Sequence, residues 1–149
     1  MKITFKGDYA LKAVLDLSIN QGKPQTILDI AKRQDIPRKF LEQIMISLKK
    51  GGFVKAQRGT KGGYLLTRSP SKITMGEVIR YIEGPVEPIG CVCKGGERTC
   101  SYSEHCSLRD VFDEVGKYIS KKVDSVTFEE LKNKQMKKMK MRGPDMYYI

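Results

Sequence analysis

No apolar run in the sequence approaches the roughly 18–20 residues that span a bilayer. The opening, Met1-Lys2-Ile3-Thr4-Phe5-Lys6, holds no apolar stretch of the kind a secretory signal needs. Membrane and exported proteins are thereby set aside, and the expected location is the cytoplasm. Histidine occurs once, at His105. There is no evident His/Asp partner set for a nucleophile, no phosphate-cradling glycine loop and, in 149 residues, no room for a second catalytic domain, so no enzyme is expected. Cysteine is absent outside residues 91–106, where all four thiols lie. In a cytosolic chain such thiols point to metal or redox chemistry before structural disulfides. Acidic residues are scarcest in residues 38–72, which hold one against nine basic ones.

What is there begins with charge. The chain carries 28 Lys and Arg against 17 Asp and Glu, a formal net charge of +11, and 40% of its residues are hydrophobic, enough for a core. Residues 1–37 are net +2, residues 38–72 net +8, residues 73–131 net −4 and residues 132–149 net +5. A surplus packed into 35 residues has the form of an electrostatic footprint for phosphates.

Helical periodicity places a first helix over 7–20, with Ala10, Val14 and Leu17 on one face. Thr26 starts a second, short helix, with Asp29 completing an imperfect capping box. After a turn at Gln34-Asp35-Ile36, Pro37 fits the first turn of a third helix. Phe40, Leu41, Ile44 and Leu48 are its expected core face, and Gly51-Gly52 its end. Two β-prone runs around Gly59-Thr60-Lys61-Gly62-Gly63 predict a hairpin. Thr74-Met75-Gly76-Glu77 caps a further helix ending before Gly84-Pro85. Residues 84–105 read as irregular. Leu108, Val111, Phe112, Val115, Ile119 and Val123 then make a long apolar stripe, too regular and too wide for a lone helix on a small domain, so a second copy is expected against it. A last helix runs from Thr127 through Leu131, and residues 132–149 are expected to be a basic, frayed tail. The expected domains are 1–83, a DNA-binding unit; 84–105, a cysteine-rich loop; 106–131, the stripe helix and final helix; and 132–149, the tail.

Two short helices joined by a tight turn and followed by a hairpin make a winged helix-turn-helix. The fold class is therefore mainly α with a small β-hairpin wing, and double-stranded DNA is the expected partner. The third helix would read it, with Arg38, Lys39, Glu42, Gln43 and Ser47 as candidate contacts and Lys49 and Lys50 also exposed. Arginine and lysine suit phosphates and guanine edges, glutamine pairs with adenine, and glutamate accepts from cytosine N4. Arg58 and Lys61 sit beside glycines at the hairpin tip, where a cation can approach a narrow minor groove.

Lys2-Ile3-Thr4, Gly7-Asp8-Tyr9-Ala10-Leu11-Lys12-Ala13, Phe40-Leu41-Glu42-Gln43-Ile44, Arg58-Gly59-x-x-Gly62-Gly63-Tyr64-Leu65-Leu66 and Ile73-Thr74-x-Gly76-Glu77-Val78-Ile79 together resemble the Rrf-two family of bacterial winged-helix transcription regulators, in its IscR-, NsrR- and CymR-like branches. The likeness runs from Met1 to about Leu131. It implies a homodimeric repressor or activator on a near-palindromic operator, with residues from about Cys106 to Val123 as dimerisation helix, Glu42 as base reader and Arg58 as minor-groove arginine.

Cys91, Cys93, Cys100 and Cys106 cluster within 16 residues, and thiolates at such spacing can converge on one metal centre. Cluster-holding family members carry three cysteines ahead of the dimerisation helix. The resemblance therefore implies a [2Fe–2S] or [4Fe–4S] cluster on Cys93, Cys100 and Cys106, with Cys91 as alternative to Cys93, sensing redox state, nitric oxide or cluster supply. One branch completes its site with a histidine three residues after the last cysteine, where this chain has Arg109. Another uses an aspartate near the start of the other subunit, which here is Asp8. His105 is a weaker candidate. Zinc on the same thiols, or a thiol–disulfide switch without metal, remain the alternatives.

Overall fold

The computed structural model describes residues 3–90, 100 and 103–141. Its elements run α1 (Phe5–Ile19), α2 (Ile27–Gln34), α3 (Arg38–Lys50), β1 (Val54–Gln57), β2 (Gly63–Leu66), α4 (Met75–Glu83), α5 (Ser107–Ser125) and α6 (Phe128–Met141). α1 begins earlier than the periodicity suggests because Thr4 caps it, its hydroxyl accepting from the Gly7 N–H. Its buried face, Ala10, Ala13, Val14 and Leu17, is the centre of the molecule. The Thr26 hydroxyl caps α2 by accepting from Asp29 N–H, and Asp35 closes it in the left-handed region at φ 52°. That conformation is one aspartate tolerates better than most residues. Pro37 stands immediately before α3, and Gly51 and Gly52 follow its end.

β1 and β2 pair antiparallel from Val54↔Leu66 to Gln57↔Gly63. Gln25, just before α2, exchanges two backbone hydrogen bonds with Tyr64 at 3.0 and 2.8 Å, so the wing is stitched to the helix-turn-helix. Gly63 permits this approach: a Cβ there would lie 2.6 Å from the Gln25 carbonyl oxygen. The Thr74–Glu77 capping box forms in full. α1 packs against α2, α3, α4, β2 and α6, and Phe128 of α6 is fully buried in the same core as Ile30, Leu41, Met45, Leu48 and Val78.

Two expectations need correcting. Phe40 is 64% exposed, and Met45 takes the core place assigned to it. Positions 41, 44, 45 and 48 satisfy helical spacing as well as 40, 41, 44 and 48 do, and Phe40 lies about a quarter turn from the centre of the buried arc that α3 adopts. The final helix does not stop at Leu131 but continues to Met141. Thr127 and Glu130 cap it reciprocally, Leu131 packs on the core, and lysine and methionine are good helix formers that extend a helix once it is anchored. Residues 142–149 lie outside the described residues.

Candidate nucleic-acid interface and thiol segment

α3 presents its charged side chains to solvent on the face opposite Leu41, Ile44, Met45 and Leu48. Arg38, Lys39, Gln43, Lys49 and Lys50 are exposed; Glu42 and Ser47 are half-buried. The Arg38 guanidinium donates to Glu42 at 3.0 Å, one turn on, which orients both and leaves the second carboxylate oxygen of Glu42 outside that bond. The Ser47 hydroxyl donates to the Gln43 carbonyl at 3.1 Å. Arg58 and Lys61 are exposed in the turn between β1 and β2. Gly59 holds φ +116° there, a conformation a side chain would resist. The structure thus places all seven predicted DNA-contacting residues on two adjacent elements, the third helix and the wing.

One polar cluster escaped sequence reasoning. Asp16, on the core side of α1 and 2% exposed, accepts from Arg33 Nε at 2.9 Å, Arg33 Nη2 at 2.7 Å and Gln34 Nε2 at 3.0 Å. Arg33 Nη2 also donates to Gln25 Oε1 at 2.6 Å. Hydrogen bonding to Asp16 raises the Arg33 pKa above its ordinary value against the opposing effect of burial. The network ties α1 and α2 to the residue that holds the wing. Its signal in the sequence is an acid at position 16, three residues after Ala13, on the apolar side of a core helix.

On the thiol side, Cys106 is the residue before α5 and its side chain makes no capping hydrogen bond. Cys100 is exposed and free, and His105 lies exposed in the short turn Ser103–His105. Cys91 and Cys93 lie outside the described residues. Among the described residues no three His, Cys, Asp or Glu side chains come together as a metal site. Asp8 sits in the first turn of α1, its carboxylate 2.7 Å from Lys12 Nζ. Glu83, the last residue of α4, accepts from Thr4 N–H at 3.1 Å and so ties the start of α1 to the entry of the thiol segment.

The stripe on α5 divides in two. Ile119 and Val123 pack with Ile79 and Val86. Leu108, at 67%, and Val111, at 58%, are open to solvent, and Phe112, Val115 and Tyr118 are exposed beside them.

Residues 3–134 match the Rrf2 family, described as "Iron-dependent Transcriptional regulator". The chain belongs to the Rrf2 family. It is 38% identical to an "HTH-type transcriptional regulator rrf2-like" protein of Rhodobacter capsulatus, over 87% of this chain and 91% of that one. It is 35% identical to the HTH-type transcriptional regulator IscR of Escherichia coli, over 91% and 82%. Among solved structures, CymR, the global cysteine regulator of B. subtilis, superposes with a TM-score of 0.75 at 31% identity, covering 89% of this chain and 97% of that one. IscR of T. potens gives 0.73 at 32%, covering 91% and 88%. The chain is accordingly a winged-helix transcriptional regulator and not an enzyme, of a family whose regulators bind DNA. No helix among the described residues is long and apolar enough to cross a membrane.

Proposed function

We propose that this Rrf2-family regulator works as a homodimer on a near-palindromic double-stranded operator, and that an iron–sulfur cluster held by its thiol segment sets its DNA affinity. The observation that carries the reading is the junction at Cys106. The last thiol of the segment stands immediately before α5, and the helix it opens leaves Leu108, Val111 and Val115 uncovered. A second copy packed on that stripe would carry its own reading helix to the next major groove about 34 Å away. Any change in the thiol segment would then be felt at the dimer seam. The donor set suits the group: soft thiolates from Cys93, Cys100 and Cys106, with Cys91 as alternative to Cys93, and Asp8 of the partner subunit as the harder fourth ligand. When bound, the cluster supplies sensitivity to redox state, nitric oxide or cluster supply. The chain's own residues supply the response, through Glu83 at the α1–α4 junction and through the α5 seam.

A second reading keeps the regulator and drops the cluster. Cys100 is exposed and free, and CymR of Staphylococcus aureus, 26% identical with a TM-score of 0.72, is known in an oxidised form. A thiol–disulfide switch would use the same segment, and zinc would occupy it as a closed thiolate site. Anaerobic purification followed by an absorption spectrum and iron, sulfide and zinc counts separates the three. A coloured protein with stoichiometric sulfide supports the cluster. Zinc without sulfide, or a colourless metal-free protein whose DNA binding follows thiol oxidation, overturns it in favour of the corresponding alternative.

A further inference from the structure

Phe40 stands in the first turn of α3 with most of its ring in water. It belongs to neither of the aromatic pairs among the described residues, Phe5–Tyr9 and Phe53–Tyr81. Leaving so large an apolar side chain open forgoes burial that the core of α3 obtains from Leu41, Ile44, Met45 and Leu48. Its neighbours say what could cover it. Arg38 and Lys39 precede it in the same turn, both exposed, so an apolar protein partner would meet two cations there while a nucleic acid would meet two counter-charges. Gln43 lies three residues on and Ser47 seven, which puts Phe40, Gln43 and Ser47 along one side of the helix. The Ser47 hydroxyl is turned back onto the Gln43 carbonyl, leaving the Phe40 ring and the Gln43 amide as the outward chemistry of that side.

A ring and an amide one turn apart match one base-pair type. In the major groove only thymine presents a methyl group, and its partner adenine presents N6 and N7, the pair of atoms a glutamine amide engages at once. We propose that Phe40 is a specificity-determining residue of this regulator, packing on a thymine 5-methyl group in each half-site while Gln43 reads adenine beside it. The inference rests on the DNA-binding reading and adds to it a base preference that the charged residues of α3 do not supply. Ile46, also exposed on α3 but six residues further on and on the other side with Glu42 and Lys49, serves as the internal comparison.

The experiment uses the duplex enriched from a random pool by the full-length parent protein. Each thymine is replaced singly by deoxyuridine, which removes the methyl group and leaves every base-pair hydrogen bond. The parent should show, in each half-site, one position where the replacement weakens binding about fourfold, the worth of one buried methyl group. Phe40→Ala should bind the unmodified duplex more weakly and be indifferent to deoxyuridine at that position. Ile46→Ala should keep the parent's sensitivity. No sensitive thymine in the parent, retained sensitivity in Phe40→Ala, or loss of sensitivity in Ile46→Ala instead overturns the proposal while leaving DNA binding intact. Failure of the parent to enrich any duplex overturns both. A Phe40→Ala chain that binds DNA as the parent does but changes its oligomeric state assigns the ring to a protein contact and overturns the proposal.

Discussion

At the scale of single residues, two charged side chains, one exposed and one buried, have opposite consequences when removed. Arg58 stands exposed in the wing turn, so its removal should leave the fold alone. Arg58→Ala is expected to weaken binding to the selected duplex by about 1.5–3 kcal/mol, the size of a charge-assisted hydrogen bond, with an unchanged thermal unfolding midpoint. Equal affinity of parent and variant at physiological salt would remove the wing arginine from the interface. Asp16 is buried and accepts three hydrogen bonds from Arg33 and Gln34. Asp16→Ala leaves those donors unsatisfied and is expected to cost about 1–3 kcal/mol of stability in urea titration. Because Arg33 also holds Gln25, and Gln25 pairs with Tyr64, the variant should loosen the wing as well. Hydrogen exchange at the Tyr64 amide is expected to rise beyond what the global loss accounts for.

At the scale of elements, α4 and α5 carry the joints. Arg80 of α4 binds Asp124 of α5 through both carboxylate oxygens, and Arg68 reaches Glu77 at 3.2 Å. The hydrogen bond from Arg80 holds the Asp124 carboxyl below its ordinary pKa. For Glu77, burial pushes upward, but the Thr74 backbone N–H and Arg68 together outweigh it and the net shift is downward. Both carboxylates are therefore more acidic folded than unfolded. Their stabilisation is complete above the ordinary carboxylate range and is lost as pH falls through the lower folded values. Since both are more than one-third exposed, the effect is modest and weakens with salt. Urea midpoints should fall on acidification, and the Glu77→Gln, Asp124→Asn double variant should flatten that fall. On α5, Val111→Asp places a charge in the middle of the uncovered stripe. The parent is expected to sediment as a dimer at micromolar concentration and the variant as a monomer with unchanged helix content. A monomeric parent would contradict the packing argument.

At the scale of the whole molecule, α1 packs on both α3 and α4 and so links the two ends of the described framework. Glu83 holds the start of α1 against the end of α4, and Asp8 lies in the first turn of that same helix. If Asp8 of the partner subunit completes the cluster site, losing that ligand should leave each subunit folded while freeing the two reading heads relative to the dimer axis. Asp8→Ala is expected to keep fold and dimer, to make the cluster more labile, and to uncouple DNA affinity from cluster state. Cys100→Ala and Cys106→Ala should each abolish the cluster, and Cys91→Ala should be milder than Cys93→Ala. An Asp8→Ala protein with parental spectrum, stability and DNA response would reduce Asp8 to a favourable acid at a helix start, paired with Lys12.

Local signals determined most of this protein. Capping residues at Thr26, Thr74 and Thr127, the glycines after α3 and around the wing turn, and helical periodicity from Ala10 to Val123 are written in short stretches of chain, and the elements they predict are the ones that form. The charge surplus in residues 38–72 likewise marked α3 and the wing as a cationic surface, because exposed cations need no tertiary partner to be recognised. Packing decided the rest. Whether Phe40 or Met45 entered the core depended on the angle at which α3 lies on α1, a quantity no spacing rule contains. Asp16 became the anchor of α2 and the wing only when Arg33, Gln34 and Gln25 were brought to it from sequence distances of 9 to 18 residues. α6 outran its expected end because Leu131 and Phe128 found the core of α1. A helix of lysines and methionines has the propensity to form, but it takes a docked first turn to supply the nucleus that a solvated tail lacks.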